Sequence, residues 1–127
     1  MDLKYFNISE FDCPSLKGSA AMHMDKDFLL MLDRARGLSG GQKFTITSGY
    51  RSKEHNKKIG SKSDNHPSGR AADIVATDSR SRYLIINALL QAGFNRIGID
   101  FKRNFIHVDS NGTDLGGTKS PNVIWHY

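Results

Sequence analysis

Arg96-Ile97-Gly98-Ile99, then Asp100-Phe101-Lys102-Arg103-Asn104, then Phe105-Ile106-His107-Val108-Asp109 follow one another without a break, and their reading decides the fold. The outer segments are rich in β-formers and the middle one is polar and turn-forming. They predict two short strands, paired as a hairpin through Asp100–Asn104. Alternation puts Ile106 and Val108 on one face of the second strand and Phe105, His107 and Asp109 on the other. The first pair suits a core. The second set sends an imidazole and a carboxylate into the same space.

Working upstream, Ser79–Ala92 reads as a long helix capped by Asp78 or Ser79 and stopped by Gly93, with Leu84, Ile85, Ile86, Leu89 and Leu90 as its apolar stripe. Ala71–Ala76 is a short buried strand, and Gly60–Arg70 is a loop. Ser52–Ile59 is a short polar helix, capped by Ser52 and ended by Gly60, and Phe44–Ser48 is a strand. Asp25–Arg36 is an amphipathic helix capped by Asp25, with the stripe Phe28, Leu29, Met31, Leu32 and Ala35 and a stop at Gly37. Downstream, Asn111–Asn122 is a loop and Val123–His126 a last strand. Because the later strands are joined by short turns, the class is α+β: a small antiparallel or mixed sheet with helices packed on one side.

Composition bounds the rest. At 127 residues, with 38% hydrophobic and 24% charged, the chain predicts a single domain, residues 1–127, with one modest core. The longest apolar stretches, such as Tyr83–Leu90, are too short to span a bilayer. Met1–Glu10 carries Asp2, Lys4 and Glu10 and does not read as a signal peptide, so synthesis in the cytoplasm is expected. A net charge of +5 favours anionic partners: nucleic acid, a membrane surface or a bacterial wall polymer. Lys53, Lys57, Lys58 and Lys62 cluster near one helix, as a solvated face or an anion-attracting one. No interleaved aromatics, recognition helix or finger spacing supports a nucleic-acid module, and none is expected as a partner. The one cysteine, Cys13, cannot form an internal disulfide and reads as a small buried apolar residue rather than a catalytic thiol.

Two features point to chemistry. Asp73 stands inside the apolar strand Ala71-Ala72-Asp73-Ile74-Val75, seven residues after His66. Burying an unpaired carboxylate costs several kcal/mol, so Asp73 needs a cation or a functional edge, and a metal ion meets that need. His66, Asp73 and His107 together make three protein ligands for zinc, with a fourth position left open as in catalytic sites. From spacing alone the signal is weak, and His107 fits an ordinary strand histidine equally.

The segments Ser48-Gly49-Tyr50-Arg51-Ser52, His66-Pro67-Ser68-Gly69-Arg70-Ala71-Ala72-Asp73 and Phe105-Ile106-His107-Val108-Asp109, ending in Trp125-His126-Tyr127, occur in one order. In combination they resemble the zinc D-Ala-D-Ala carboxypeptidase, VanY-like peptidases of bacteria and phages, including endolysins, whose metal site is of the hedgehog type. The resemblance runs from about Phe6 to Tyr127. It implies a hedgehog/DD-peptidase-like fold, Zn2+ held by His66, Asp73 and His107, and Arg51 as the cation that stabilises the oxyanion. It also implies substrate contacts at Ser48, Tyr50, Ser63 and Trp125. Relatives place a Glu or Asp three residues before the last His ligand, or a His two before it. Here those positions hold Asn104 and Phe105, neither of which takes a proton from water. Asp109 is the first choice for general base, because alternation aims it beside His107; its other reading is a carboxylate that orients the ligand. Asp100 and His126 are the further candidates.

The reading so implied is a monomeric zinc metallopeptidase acting on peptidoglycan stem peptides, as a D-Ala-D-Ala carboxypeptidase or an L-Ala-D-Glu-type endopeptidase. Release by holin at phage lysis, or delivery in a virion, suits it; a host or prophage protein shares the same features. Two rivals remain: a zinc-binding wall-recognition module without turnover, and a small basic nucleic-acid binder.

Overall fold

A computed structural model describes residues 2–127. Its elements are α1 (Ser19–His23), α2 (Lys26–Leu38), β1 (Ile46–Ser48), α3 (Lys53–Lys58), β2 (Ala71–Val75), α4 (Ser79–Gln91), β3 (Arg96–Asp100), β4 (Phe105–Asp109) and β5 (Val123–His126). Single 3-10 turns at Ile8–Phe11 and Thr113–Leu115 complete them. The five strands form one sheet in the order β1-β2-β4-β3-β5. All neighbours are antiparallel except β3 and β5, which run parallel. The class is α+β with a mixed sheet, as the hairpin implied.

Local signals account for most boundaries. The Asp25 carboxylate accepts from Phe28 N at the start of α2, Ser52 Oγ from His55 N at the start of α3, and Asp78 from Ser81 N at the start of α4. Each satisfies an N–H that a helix start otherwise leaves orphaned. Gly37 does not stop α2, contrary to expectation. The helix continues to Leu38, and the Tyr5 ring packs on Gly37, where a side-chain carbon would stand 3.2 Å from Tyr5 Cε2. The stop falls instead at Gly40 and Gly41, both at positive φ.

The sheet has two faces of opposite character. Ala72, Ile74, Ile97, Ile106 and Val108 point to one side and are fully buried with Phe28, Leu29 and Leu32 of α2 and Ile85, Ala88 and Leu89 of α4. Each large side chain so buried contributes about 1.5–3 kcal/mol. On the other side one row crosses all five strands: Ser48 beside Asp73, Asp73 beside His107, His107 beside Gly98, and Gly98 beside Trp125. A register shift in β1 between Ile46 and Ser48 brings Ser48 opposite Asp73. Cys13 is buried, in keeping with its structural reading.

Candidate metal centre

Antiparallel pairing of β2 and β4 sets Asp73 directly beside His107. His66 arrives from the Gly60–Arg70 loop. Its carbonyl accepts from Gly69 N, and Gly69 has φ +76, with His23 O only 2.0 Å from where a side-chain carbon would sit. Only glycine fits so close a crossing. One donor atom from each of His66, Asp73 and His107 lies within 4.8 Å of the others, and all three residues are buried.

The hydrogen bonds around the three residues fix which atoms converge. His66 Nδ1 lies 2.8 Å from Gly49 O. A carbonyl only accepts, so Nδ1 carries the proton and Nε2 presents its lone pair, 3.3 Å from Asp73 Oδ2. His107 Nε2 lies 2.8 Å from Asp109 Oδ2, and Asp109 Oδ1 is held at 2.7 Å by Arg96 Nε. Burial pushes the Asp109 carboxyl up, but the hydrogen bond and charge of His107, with Arg96 and Asn111 N–H behind them, bring it below the usual range. Asp109 is therefore ionised and accepts from Nε2–H, which leaves His107 Nδ1 facing Asp73 Oδ1 at 3.0 Å.

Two imidazole lone pairs and a carboxylate so close together repel one another unless a cation or a proton stands between them. When protons stand there, burial raises the Asp73 carboxyl, yet the hydrogen bonds then given by His107 and His66, with their charge, win, so it lies far below an ordinary aspartate. His107 shows the complementary balance: burial lowers it, but its bonds to Asp109 and Asp73 and their charges outweigh burial and hold it above an ordinary imidazole. Two nitrogens and one oxygen aimed at one point are a zinc-type donor set. The residues fit a zinc ion, and the backbone carbonyl and carboxylate on the outer ring nitrogens are the usual supports of metal-bound histidines.

The three residues form the floor of a cavity of about 330 Å³, whose walls include Arg51, Ser63, Asn65, Arg103, Phe105 and Tyr127. Arg51 Nε is buried without a hydrogen-bond partner. Burial lowers the guanidinium below its ordinary value while Asp73 pulls it back up, so it is a cation held beside the floor. Ser63 lines the wall, and Ser48 Oγ stands 3.4 Å from His66 Nδ1. Trp125 lies over Gly98 with its ring 5.6 Å from that of His107, so it covers that imidazole rather than lining the cavity.

The expected proton acceptors do not line this cavity, nor do three of the four expected substrate contacts, Ser48, Tyr50 and Trp125. Asp109 is 0% exposed and sits behind His107, with its oxygens taken by His107, Arg96 and Asn111 N; it orients the imidazole and does not reach the cavity. Asp100 spends its carboxylate on Lys102 N, Arg103 N and Arg103 Nε, closing the hairpin turn. His126 pairs with Ile99, on the sheet face opposite His107, and is exposed at the edge. Asn104 has φ +58 and accepts from Arg82 of α4, away from the floor. Tyr50 is buried in a stack on His23, 4.6 Å between rings, and is not a cavity residue. Among the polar cavity residues missed in the sequence are Ser61, Asn65, Arg103 and Tyr127. Alternation along β5 from Trp125 carries the signal for Tyr127; nothing local marks Arg103.

No curated protein matches the chain. A family model described as peptidase M15 matches residues 4–109, which takes in Arg51, His66, Asp73 and His107. That match covers most of the chain, and it includes each side chain that builds the cavity floor; the chain belongs to the peptidase M15 family, a family of metallopeptidases.

Proposed function

We propose that residues 1–127 act as one zinc-dependent peptidase unit that hydrolyses peptide bonds in the stem of bacterial peptidoglycan, with His66, Asp73 and His107 as the metal ligands. The observation that carries this reading is the convergence of His66 Nε2, His107 Nδ1 and the Asp73 carboxylate on the floor of an open cavity in a peptidase M15 chain. When bound there, zinc polarises the scissile carbonyl and brings the pKa of water down to about 7.

The chain's own residues supply the rest. Asp109, clamped by Arg96, holds the His107 ring in the tautomer that faces Asp73. Arg51, with an unspent Nε beside the floor, is the cation for the negative charge that develops on the carbonyl oxygen. Ser63 and Asn65 on the wall offer polar contacts to a peptide backbone. Exposed Lys53, Lys57 and Lys58 of α3 lead into Ile59, Gly60 and Ser61 at the cavity wall, which gives an anionic polymer a basic approach. In this reading the protein meets the wall as a phage lysis or virion-delivered enzyme.

One observation favours a second reading, a zinc-holding wall-recognition module without turnover: Asp73 is the only carboxylate among the cavity-lining residues. Mass spectrometry of muropeptides after incubation with the zinc-loaded protein separates the two and tells carboxypeptidase from endopeptidase cleavage. A new, chelator-sensitive peptide product is expected. Intact muropeptides with stoichiometric zinc leave the recognition module.

A further inference from the structure

We propose, on the reading of this chain as a peptidase, that the Tyr127 hydroxyl is a second hydrogen-bond donor to the tetrahedral oxyanion, working beside Arg51. Tyr127 follows β5 and lies beyond the residues the family model matches. Its backbone N–H donates to Ile99 O at 3.1 Å, and alternation from Trp125 turns it to the sheet face that bears His107. The ring packs on Phe105, 5.6 Å between centroids, and edge-on to Trp125 at 6.5 Å. Phe105, two residues before His107 on the same strand, has no proton to give or take. Tyr127 packs its hydroxyl-bearing ring on that apolar one and lines the cavity.

Each of the other polar side chains on the wall already carries a hydrogen bond. Asn65 Oδ1 accepts from Asn111, and Ser63 Oγ accepts from Asn65 N. Arg103 gives its Nε to Asp100, and its side chain is 70% exposed at the outer rim. Arg51 keeps an unpartnered Nε, and Tyr127, 57% exposed at the cavity wall, accepts from the Trp125 indole N–H, which leaves its own O–H free to donate. Arg51, Asp73 and Tyr127 line the same cavity. Burial, together with the Asp73 and Asp100 charges, raises the phenol above its ordinary value, against the lowering effect of the Trp125 hydrogen bond and the Arg103 charge. At neutral pH it keeps its proton and is a donor. It gives a hydrogen bond as negative charge builds on the carbonyl oxygen, and no bond to its own proton breaks.

The test is Tyr127→Phe, which keeps the ring on Phe105 and removes only the hydroxyl. With a stem peptide, kcat is expected to fall by about 10²-fold, on the scale of one lost oxyanion donor, with KM and bound zinc unchanged. With a phosphinate pseudopeptide, whose tetrahedral oxygens mimic the transition state, affinity for the zinc-loaded protein is expected to fall by a similar factor. A kcat and a phosphinate affinity both within twofold of wild type overturn the proposal while leaving the peptidase reading intact. Loss of zinc in the variant overturns it too, since the hydroxyl then serves the metal site's structure. A wild-type protein that cleaves nothing, yet binds the phosphinate through Tyr127, sinks the peptidase reading and keeps the donor.

Discussion

His107 is gripped from both edges by carboxylates: Asp73 Oδ1 lies 3.0 Å from Nδ1 and Asp109 Oδ2 lies 2.8 Å from Nε2. The two contacts do different work. The first faces the cavity, whereas the second is sealed from solvent and tied to Arg96. Asp109→Asn keeps the shape but offers an amide where an anion stood, so the ring loses its reason to keep Nε2 protonated. Zinc affinity is expected to fall by about 10–100-fold, the usual cost of losing such a support, as measured by competition with a chromogenic chelator. Wild-type affinity in Asp109→Asn refutes the orienting role.

Removal of the metal itself is the second prediction. His66→Ala, Asp73→Ala and His107→Ala each take away one of the three converging atoms, so plasma mass spectrometry should find zinc lost from all three. In the wild type, free zinc at 100 times its dissociation constant stabilises the fold by about 2.7 kcal/mol. A chelator should therefore lower Tm by roughly 10 °C at this chain length. Stoichiometric zinc in any one of the alanine variants removes that residue from the ligand set.

Much of this was legible in the sequence because period-two alternation needs only neighbours. It placed His107 and Asp109 on one face of β4, and an aspartate inside an apolar strand marked Asp73. Pairing between strands is a different matter. That β5 runs parallel to β3, so that Trp125 lands on Gly98 and His126 is turned away, depends on a loop from Asn111 to Asn122 whose path no local pattern dictates. The same limit misplaced the base: Asp109 shares a face with His107, but Arg96 on the adjacent strand claims it. Gly37 misled for another reason, since Tyr5, more than thirty residues upstream, covers it within the helix.

Gly98 gives the third prediction. A side-chain carbon at this position would stand 2.6 Å from Trp125 Nε1 and 2.7 Å from Cε2, and β3 is held between β4 and β5 and has no room to retreat. Gly98→Ala must lift the indole off His107, at a cost of about 1–3 kcal/mol, typical of overpacking. Trp125 is the only tryptophan, so its emission reports the shift directly and should move to the red. Unchanged emission together with unchanged Tm would show that the indole does not depend on that close approach.

Asp100 supplies the last prediction, one of pH. Its Oδ1 accepts from Lys102 N at 3.0 Å and Arg103 N at 2.7 Å, and its Oδ2 from Arg103 Nε at 2.9 Å. The Arg103 backbone N–H is the largest influence and lowers the carboxyl; burial opposes it, and the remaining bonds and charge of Arg103 keep the net value below the ordinary one. A carboxyl lowered on folding contributes stability that is fully present above its unfolded pKa of about 3.9 and is lost as pH falls through the folded value. Asp100→Asn replaces an acceptor with an amide that repels Arg103 Nε–H or leaves it unpaired. The variant should melt below wild type at neutral pH, and the gap should narrow steadily from about pH 5 downward as the wild-type carboxyl takes up its proton. A gap that stays constant over that range would mean the turn is held by shape alone, with no contribution from the charge on Asp100.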